Sequence, residues 1–586
     1  MNSIRKTPAR LASPAASKLP RRILYWVMFA FIFAGLFGRD PWKTEDAAGF
    51  ASMLTLVRDL SDGFDLSAWL TTHISEIPFY GEGPLNSIIG AISILIFAPF
   101  LELFLNPLDA QINAARIPNV FYYFLILWGI WYGTYLLARR KEAQPLPLSF
   151  GGEPRPKDYG RMLADVAYFF GIATVGIIIR VHETSYFPLL MALHSIAFYG
   201  FVRIIDKKPQ GVIALSLAFI GSLASFGFIG LFPLLIVSFV LLILPAYDVR
   251  TKLNLLIPLI TTSVAFFLWD WYVRQSNPNW LDGWYLHNLK MAFELKTEDT
   301  LIKIRDLSWY LWPSWPFALI AIYKWARWIK EFHILIPFLF YASNLIVIFF
   351  FSPAYDLYYG PIMFGNVALA AMCIPTLKRN AINILDWFSI MTVSIALMTV
   401  WFGWIALQTG WPSKINFNIM RLITGYEITI NWIEVFVGVV VCILWIMLLN
   451  WRLRKQPQGL WRGLIVTAGG LTCVWFLLSL LWLPLINYSR SYRIAGEDLA
   501  REVAGALPPN ACVEPINTGL GQLAVFHIFS NLKFSKNECQ FAFLQTNKNN
   551  PISLSKISPL ATNSVLWEGN RPSERHGEYF ILLKNR

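Results

Sequence analysis

Phe37-Gly-Arg-Asp-Pro-Trp-Lys-Thr-Glu-Asp-Ala-Ala-Gly-Phe50 continues an apolar run that begins at Ile23. It places Arg39, Asp40, Lys43, Glu45 and Asp46 within a few residues of one another. Ionisable side chains at a membrane boundary are costly to hold, and as a rule they face a cavity or a ligand. The apolar run reads as a first membrane helix and the charged cluster as its outer mouth. A second short run, Phe79-Tyr-Gly-Glu-Gly-Pro-Leu85, lies in the same loop. Together the two read as one functional loop, with the rest of the chain as its scaffold.

Composition supports that frame. Of 586 residues, 56% are hydrophobic and 15% charged, against roughly a quarter charged in soluble domains. Apolar runs of about 17 to 25 residues, the length a helix needs to cross a bilayer, recur as far as residue 487. The fold class is therefore an α-helical polytopic membrane protein. The net charge of +13 sits in short basic clusters between apolar runs, as cytoplasmic loops do, and this excludes a nucleic-acid partner.

Those clusters are Arg5–Arg22, Arg139–Arg161, Arg203–Lys208, Arg250–Lys252, Lys324–Lys330, Lys378-Arg379 and Arg452–Arg462. An even number of crossings must separate successive clusters. Leu85–Leu105 and Val120–Ala138 are both apolar enough to span, but two crossings there would put Arg139–Arg161 outside. Leu85–Leu105 is therefore expected to be an interfacial or partly inserted helix. The rule then gives about thirteen spans. It assigns 1–22 to a basic, uncleaved cytoplasmic tail and 23–486 to the membrane domain with its outer loop 39–117. Residues 487–586 become an outer soluble domain. In that domain Glu497–Leu507 is apolar at helical spacing. Ala511-Cys-Val, Leu523-Ala-Val-Phe526 and Tyr579-Phe-Ile-Leu-Leu583 look like short strands of a small α/β unit. Cys512 and Cys539 are disulfide candidates if this segment is extracytoplasmic. Cys373, Cys442 and Cys473 fall in apolar runs as inert thiols.

The chemistry allows alternatives at each position. Glu45 and Asp46 can serve as a general base or hold a divalent cation. Equally, they suit the first turn of an amphipathic helix, whose N-terminus favours negative charge. Glu82 is a loop acid, and Arg116 can snorkel to the interface or bind phosphate. Arg180, His182 and Glu183 close a span on the outer side, where they can orient an acceptor, shuttle a proton or cap a helix. The loop Trp271–Ser308 carries Trp280, Trp284, Tyr285, His287, Asn288 and Lys290. Its aromatic residues suit an interfacial belt, with sugar stacking as the alternative.

Three ordered motifs carry a family resemblance: Gly-Arg-Asp-Pro-Trp42-x-x-Glu-Asp46, Tyr80-x-Glu-x-Pro-Leu85 and Ala115-Arg116-x-Pro. They resemble the first loop of the GT-C membrane glycosyltransferases, in the aminoarabinose transferase and protein mannosyltransferase superfamily. The resemblance continues at Arg180 to Tyr199, Arg305 to Pro316 and Ser352 to Ala370. It implies a GT-C-like membrane domain with a small α/β periplasmic domain, set in a bacterial inner membrane with the N-terminus cytoplasmic. It also implies inverting transfer from a polyprenyl-phosphate sugar to a lipid, glycan or protein acceptor.

By that analogy the catalytic carboxylate is Asp46 or Glu45, with Asp46 slightly preferred on residue type. Arg39, Lys43, Glu82, Arg116, Arg180, His182, Glu183, His287 and Asn288 are the expected substrate-binding groups. No cofactor is required. A divalent cation (Mg or Zn) is allowed, with Glu82 and His287 as its ligands. Two departures stand out. The acidic pair is Glu-Asp rather than Asp-Glu, and Gly83 occupies the place of a phosphate-binding lysine. Two rival readings are a flippase for a lipid-linked saccharide and a catalytically degenerate family member.

Overall fold

The computed structural model describes residues 7–9, 19, 21–60, 63–146, 154–244, 248–455, 461–505, 507–508, 511–536, 539–547 and 564–584. Most of the basic segment 1–22 lies outside these residues. Nine described helices are long and apolar enough to cross a membrane. Eight of them, all but Pro84–Leu101, coincide with expected spans. Four further expected spans fall on shorter helices: Arg21–Phe33, Pro156–Ile172, Trp315–Lys324 and Ile362–Cys373.

The helix Pro209–Ile243 supplies two spans. It is broken at Phe226 and at Gly227, whose φ is +62°. A continuous helix of 35 residues would part its ends by about 50 Å. Instead Lys207 Nζ, just before it, pairs with Asp248 Oδ2, just after it, at 2.9 Å. The segment is a hairpin with its reversal at Gly227. Only glycine fits there: besides the positive φ, a Cβ would fall 1.7 Å from Asn288 Oδ1. The Lys207–Asp248 pair and the Arg140–Asp206 ion pair gather three basic loops on one face.

The C-terminal domain occupies the opposite face. Pro84–Leu101 starts there, where Gly83 N–H donates to Ser225 O at the hairpin reversal. The chain is back there within a few residues of the helix end, where Asp109 pairs with Arg493 at 2.5 Å. Both ends of the helix meet the same face, so its length and apolarity do not make it a crossing. Exposed Phe100, Leu103 and Phe104 at its far end suit contact with lipid.

In the C-terminal part, five strands form one sheet in the order Lys533–Phe534, Cys512–Ile516, Phe541–Asn547, Glu578–Lys584, Ser564–Gly569. Cys512–Ile516 pairs parallel to both of its neighbours, and the remaining pairs are antiparallel. The expected helix is present as Arg493–Val503, and Cys512 and Cys539 form a disulfide. Leu523–Phe526 is not a strand; it lies inside the helix Leu520–Ser530. That helix is buried on nearly every side, between the sheet and the helix Glu45–Asp59, so no polar face betrays its period in the sequence.

Candidate active site

Asp46 stands in the first turn of the helix Glu45–Asp59, and it is 2% exposed. Thr184 donates its backbone N–H and its hydroxyl to Asp46 Oδ1, each at 2.8 Å. Oδ2 accepts the Trp42 N–H at 3.3 Å and is paired with the guanidinium groups of Arg39 and Arg116, both at 3.3 Å. Burial opposes the charge on Asp46, but Arg116, Arg39 and the Thr184 hydrogen bonds outweigh it and hold the pKa below the usual carboxylate value. Both oxygens are occupied, and Asp46 is not among the residues that line the cavity beside Glu45. Asp46 fastens the loop to Arg116 and to the turn before the helix Phe187–Ile205.

Successive helical residues project about 100° apart, and Glu45 accordingly points elsewhere. It lines a cavity of about 190 Å³, room for roughly a dozen waters. Tyr80, Tyr186, Phe226, Tyr355 and Tyr358 make its aromatic wall. Glu82, His287 and Asn288 supply further polar groups, and Leu520 reaches in from the C-terminal domain. Glu45 also accepts a hydrogen bond from Tyr355. Glu82 Oε2 accepts from Asn86 Nδ2 at 2.9 Å. Burial, reinforced by the charges of Glu45 and Glu183, pushes the Glu82 carboxyl up to about 8 against that hydrogen bond. Burial and then the Lys296 and Lys290 charges lower the pKa of His287.

The other expected binding residues are engaged around the cavity. Arg39 lies over the Trp42 ring at 3.9 Å and, like Arg116, is spent on Asp46. Lys43 turns away to Tyr492 Oη at 3.1 Å and Glu578 Oε1 at 3.3 Å, fastening the loop to the C-terminal domain. Arg180 binds Glu183 at 3.0 Å and Asp356 at 2.7 Å and lies 3.8 Å from Glu45. His182 is fully buried, its ring nitrogens against the carbonyl oxygens of Ile178 and Phe31 at 2.5 and 3.2 Å.

No group of three His, Cys, Asp or Glu side chains suited to a metal occurs among the described residues, so Glu82 and His287 lack a third such ligand. Trp280 and Trp284 do not sit in an interfacial belt. Both are buried, and Trp280 Nε1 donates to Thr72 O at 3.0 Å. Sequence reasoning missed Tyr186, Phe226, Tyr355 and Leu520 as cavity residues. They come from four separate segments, and nothing local marks them.

Position 83 has its own explanation. A Cβ on Gly83 would lie 2.1 Å from the carbonyl oxygen of Ala224, so the hydrogen bond between this loop and the hairpin reversal excludes any side chain, lysine included.

No family model matches the sequence, and no curated protein matches it. The fold, however, is shared with solved structures. The crystal structure of ArnT from Cupriavidus metallidurans bound to undecaprenyl phosphate aligns with a TM-score of 0.65 and 12% identity, covering 96% of this chain and 97% of that one. The apo form of the same protein aligns at 0.58 with 13% identity and the same coverage. The chain therefore shares the polytopic fold of ArnT over nearly its whole length.

Proposed function

We propose that this chain is an integral-membrane glycosyltransferase that moves a sugar from a polyprenyl-phosphate donor to an acceptor on the face carrying the C-terminal domain. The observation that carries this reading is the cavity itself: it presents Glu45 among aromatic rings, within a fold shared with a protein that binds undecaprenyl phosphate. Tyrosine and phenylalanine faces suit a sugar ring.

In this mechanism an acceptor hydroxyl attacks the anomeric carbon while its proton passes to the Glu45 carboxylate. The bond from that carbon to the phosphate oxygen breaks, and polyprenyl phosphate leaves with the electron pair. Direct displacement inverts the anomeric centre. Glu82, protonated near neutrality, donates a hydrogen bond to the phosphate side, as carboxyls kept neutral by burial do. Asp46 positions the loop that carries Glu45 and touches no substrate.

The domain face is periplasmic in this reading, and the basic loops and N-terminus are cytoplasmic, in a bacterial inner membrane. The Cys512–Cys539 disulfide supports an oxidising compartment for the domain, and the basic clusters support the opposite side as cytoplasmic.

The test is turnover of a radiolabelled polyprenyl-phosphate sugar panel in membranes, read as acceptor-dependent release of polyprenyl phosphate. Wild type releases it and Glu45→Gln does not. Binding of the lipid without turnover of any donor would make the chain a non-catalytic lipid binder.

A further inference from the structure

No lysine or arginine occurs among the described residues that line the Glu45 cavity. A phosphate entering it would meet two carboxyl groups, Glu45 and Glu82, and charge in such a site requires a fixed cation. The nearby arginines already have carboxylate partners: Arg39 and Arg116 are buried against Asp46, and Arg180 pairs with Glu183 and Asp356. Lys43 is held by Glu578, and position 83 has no room for a side chain.

Lys296 differs from all of these. Its ammonium lies 3.3 Å from the sulfur of Met291, and Met291 lines the cavity. A thioether is a weak acceptor, and the carboxylate paired with Lys296, on exposed Glu294, is 3.9 Å away. Yet the Lys296 side chain is only 24% exposed. It is a largely buried cation with poor partners, set against Met291 of the cavity wall.

Its backbone is fastened at both ends. Lys296 N–H donates to Phe350 O at 2.7 Å. Lys296 O accepts from the ammonium of Lys303 at 2.5 Å, and that ammonium also reaches Phe349 O at 3.3 Å. Lys303 is completely buried. One lysine is thus buried to tie the carrier of the other to the end of the helix Phe332–Phe350. A cation held this way needs little reorganisation when an anion arrives. Its field already reaches the wall: after burial, Lys296 is the leading charge that lowers the pKa of His287.

We propose that Lys296 receives the phosphate of the lipid-linked donor, docking it against the His287–Met291 wall of the cavity so that the anomeric carbon faces Glu45. This rests on the polyprenyl-phosphate reading above. Lys303 is a positioning residue in this arrangement and touches no substrate.

The test measures equilibrium binding of undecaprenyl phosphate, undecaprenol and inorganic phosphate to full-length protein in nanodiscs, for wild type, Lys296→Met and Lys296→Arg, with thermal melting as the fold control. Lys296→Met weakens undecaprenyl phosphate binding about ten- to a hundredfold, as loss of one charge-assisted hydrogen bond does. Lys296→Arg retains most of the affinity, and undecaprenol binds all three proteins alike. Unchanged undecaprenyl phosphate binding by Lys296→Met overturns the role of Lys296 while leaving the donor reading intact. Equal binding of undecaprenol and undecaprenyl phosphate by wild type overturns the donor reading itself. Inorganic phosphate binding wild type as tightly as the lipid would make this a free-anion site, which also overturns the proposal. If Lys296→Met does not fold, amine labelling of wild type decides the matter. Undecaprenyl phosphate protects Lys296 from the reagent and undecaprenol does not, and the absence of that difference refutes the proposal.

Discussion

Replacing Asp46 by asparagine separates its structural role from the catalytic role proposed for Glu45. The substitution keeps the side-chain shape but removes the counter-charge of Arg39 and Arg116, which are 2% and 0% exposed. Breaking a buried ion pair by removing one partner costs about 3–5 kcal/mol. The Thr184 hydrogen bonds to Oδ1 survive if the amide oxygen takes that place, so the lower half of that range is expected. By the scaling of soluble domains of 150–250 residues, this is a fall in Tm on the order of 10 °C.

Glu45→Gln behaves differently. Its side chain is 25% exposed and lies 3.8 Å from Arg180, so the stability change stays within about 1 kcal/mol. Turnover falls by about 10²–10⁴, the usual contribution of a general base. Thermal melting in nanodiscs and release of polyprenyl phosphate measure the two effects on the same preparations. An Asp46→Asn protein with wild-type Tm and no turnover would refute the division of labour. So would a Glu45→Gln protein with wild-type turnover.

Three further outcomes follow from the geometry. Glu82 is needed protonated, so turnover falls as pH rises through about 8, and Glu82→Gln flattens that alkaline limb of the rate profile. Its folded-state pKa lies above the unfolded value of 4.5, so the native state keeps a proton the unfolded chain has lost; stability therefore declines from about pH 4.5 to about 8, by up to roughly 5 kcal/mol, and Glu82→Gln removes this decline in melting experiments. Gly227→Ala destabilises by about 1–3 kcal/mol through its positive φ and the clash with Asn288, and truncation of Asn288 to alanine recovers part of the loss in a double-mutant cycle. Cys512→Ser opens a link between residues 27 apart in sequence, costing about 3–4 kcal/mol, and speeds proteolysis beyond residue 490 while leaving the membrane helices protected.

The legible and the illegible parts of this molecule differ in a physical way. Span length and basic-cluster parity are local properties of the chain. They assigned two spans to the hairpin at Gly227 and kept Pro84–Leu101 from counting as a crossing, although that helix is long and apolar enough. Leu523–Phe526 was misread because a short run buried on all sides carries no period that separates strand from helix. The surroundings of His182 and Arg39 were equally illegible, because polar residues beside a span look alike in sequence whether they face a cavity, a carboxylate or a carbonyl oxygen.

By itself the sequence determined a polytopic membrane fold and the loop on which its chemistry rests, because both follow from hydrophobic length and the cost of charge at a bilayer edge. Only the tertiary structure decided which member of Glu45-Asp46 faces the cavity, since neighbouring helical residues point about 100° apart and the turn at Thr184 captures one of them. It alone also set Lys296 against Met291 of the cavity wall. That placement depends on Lys303, close by in sequence, and on Phe350, bonded across tens of residues, and no local pattern encodes the longer contact.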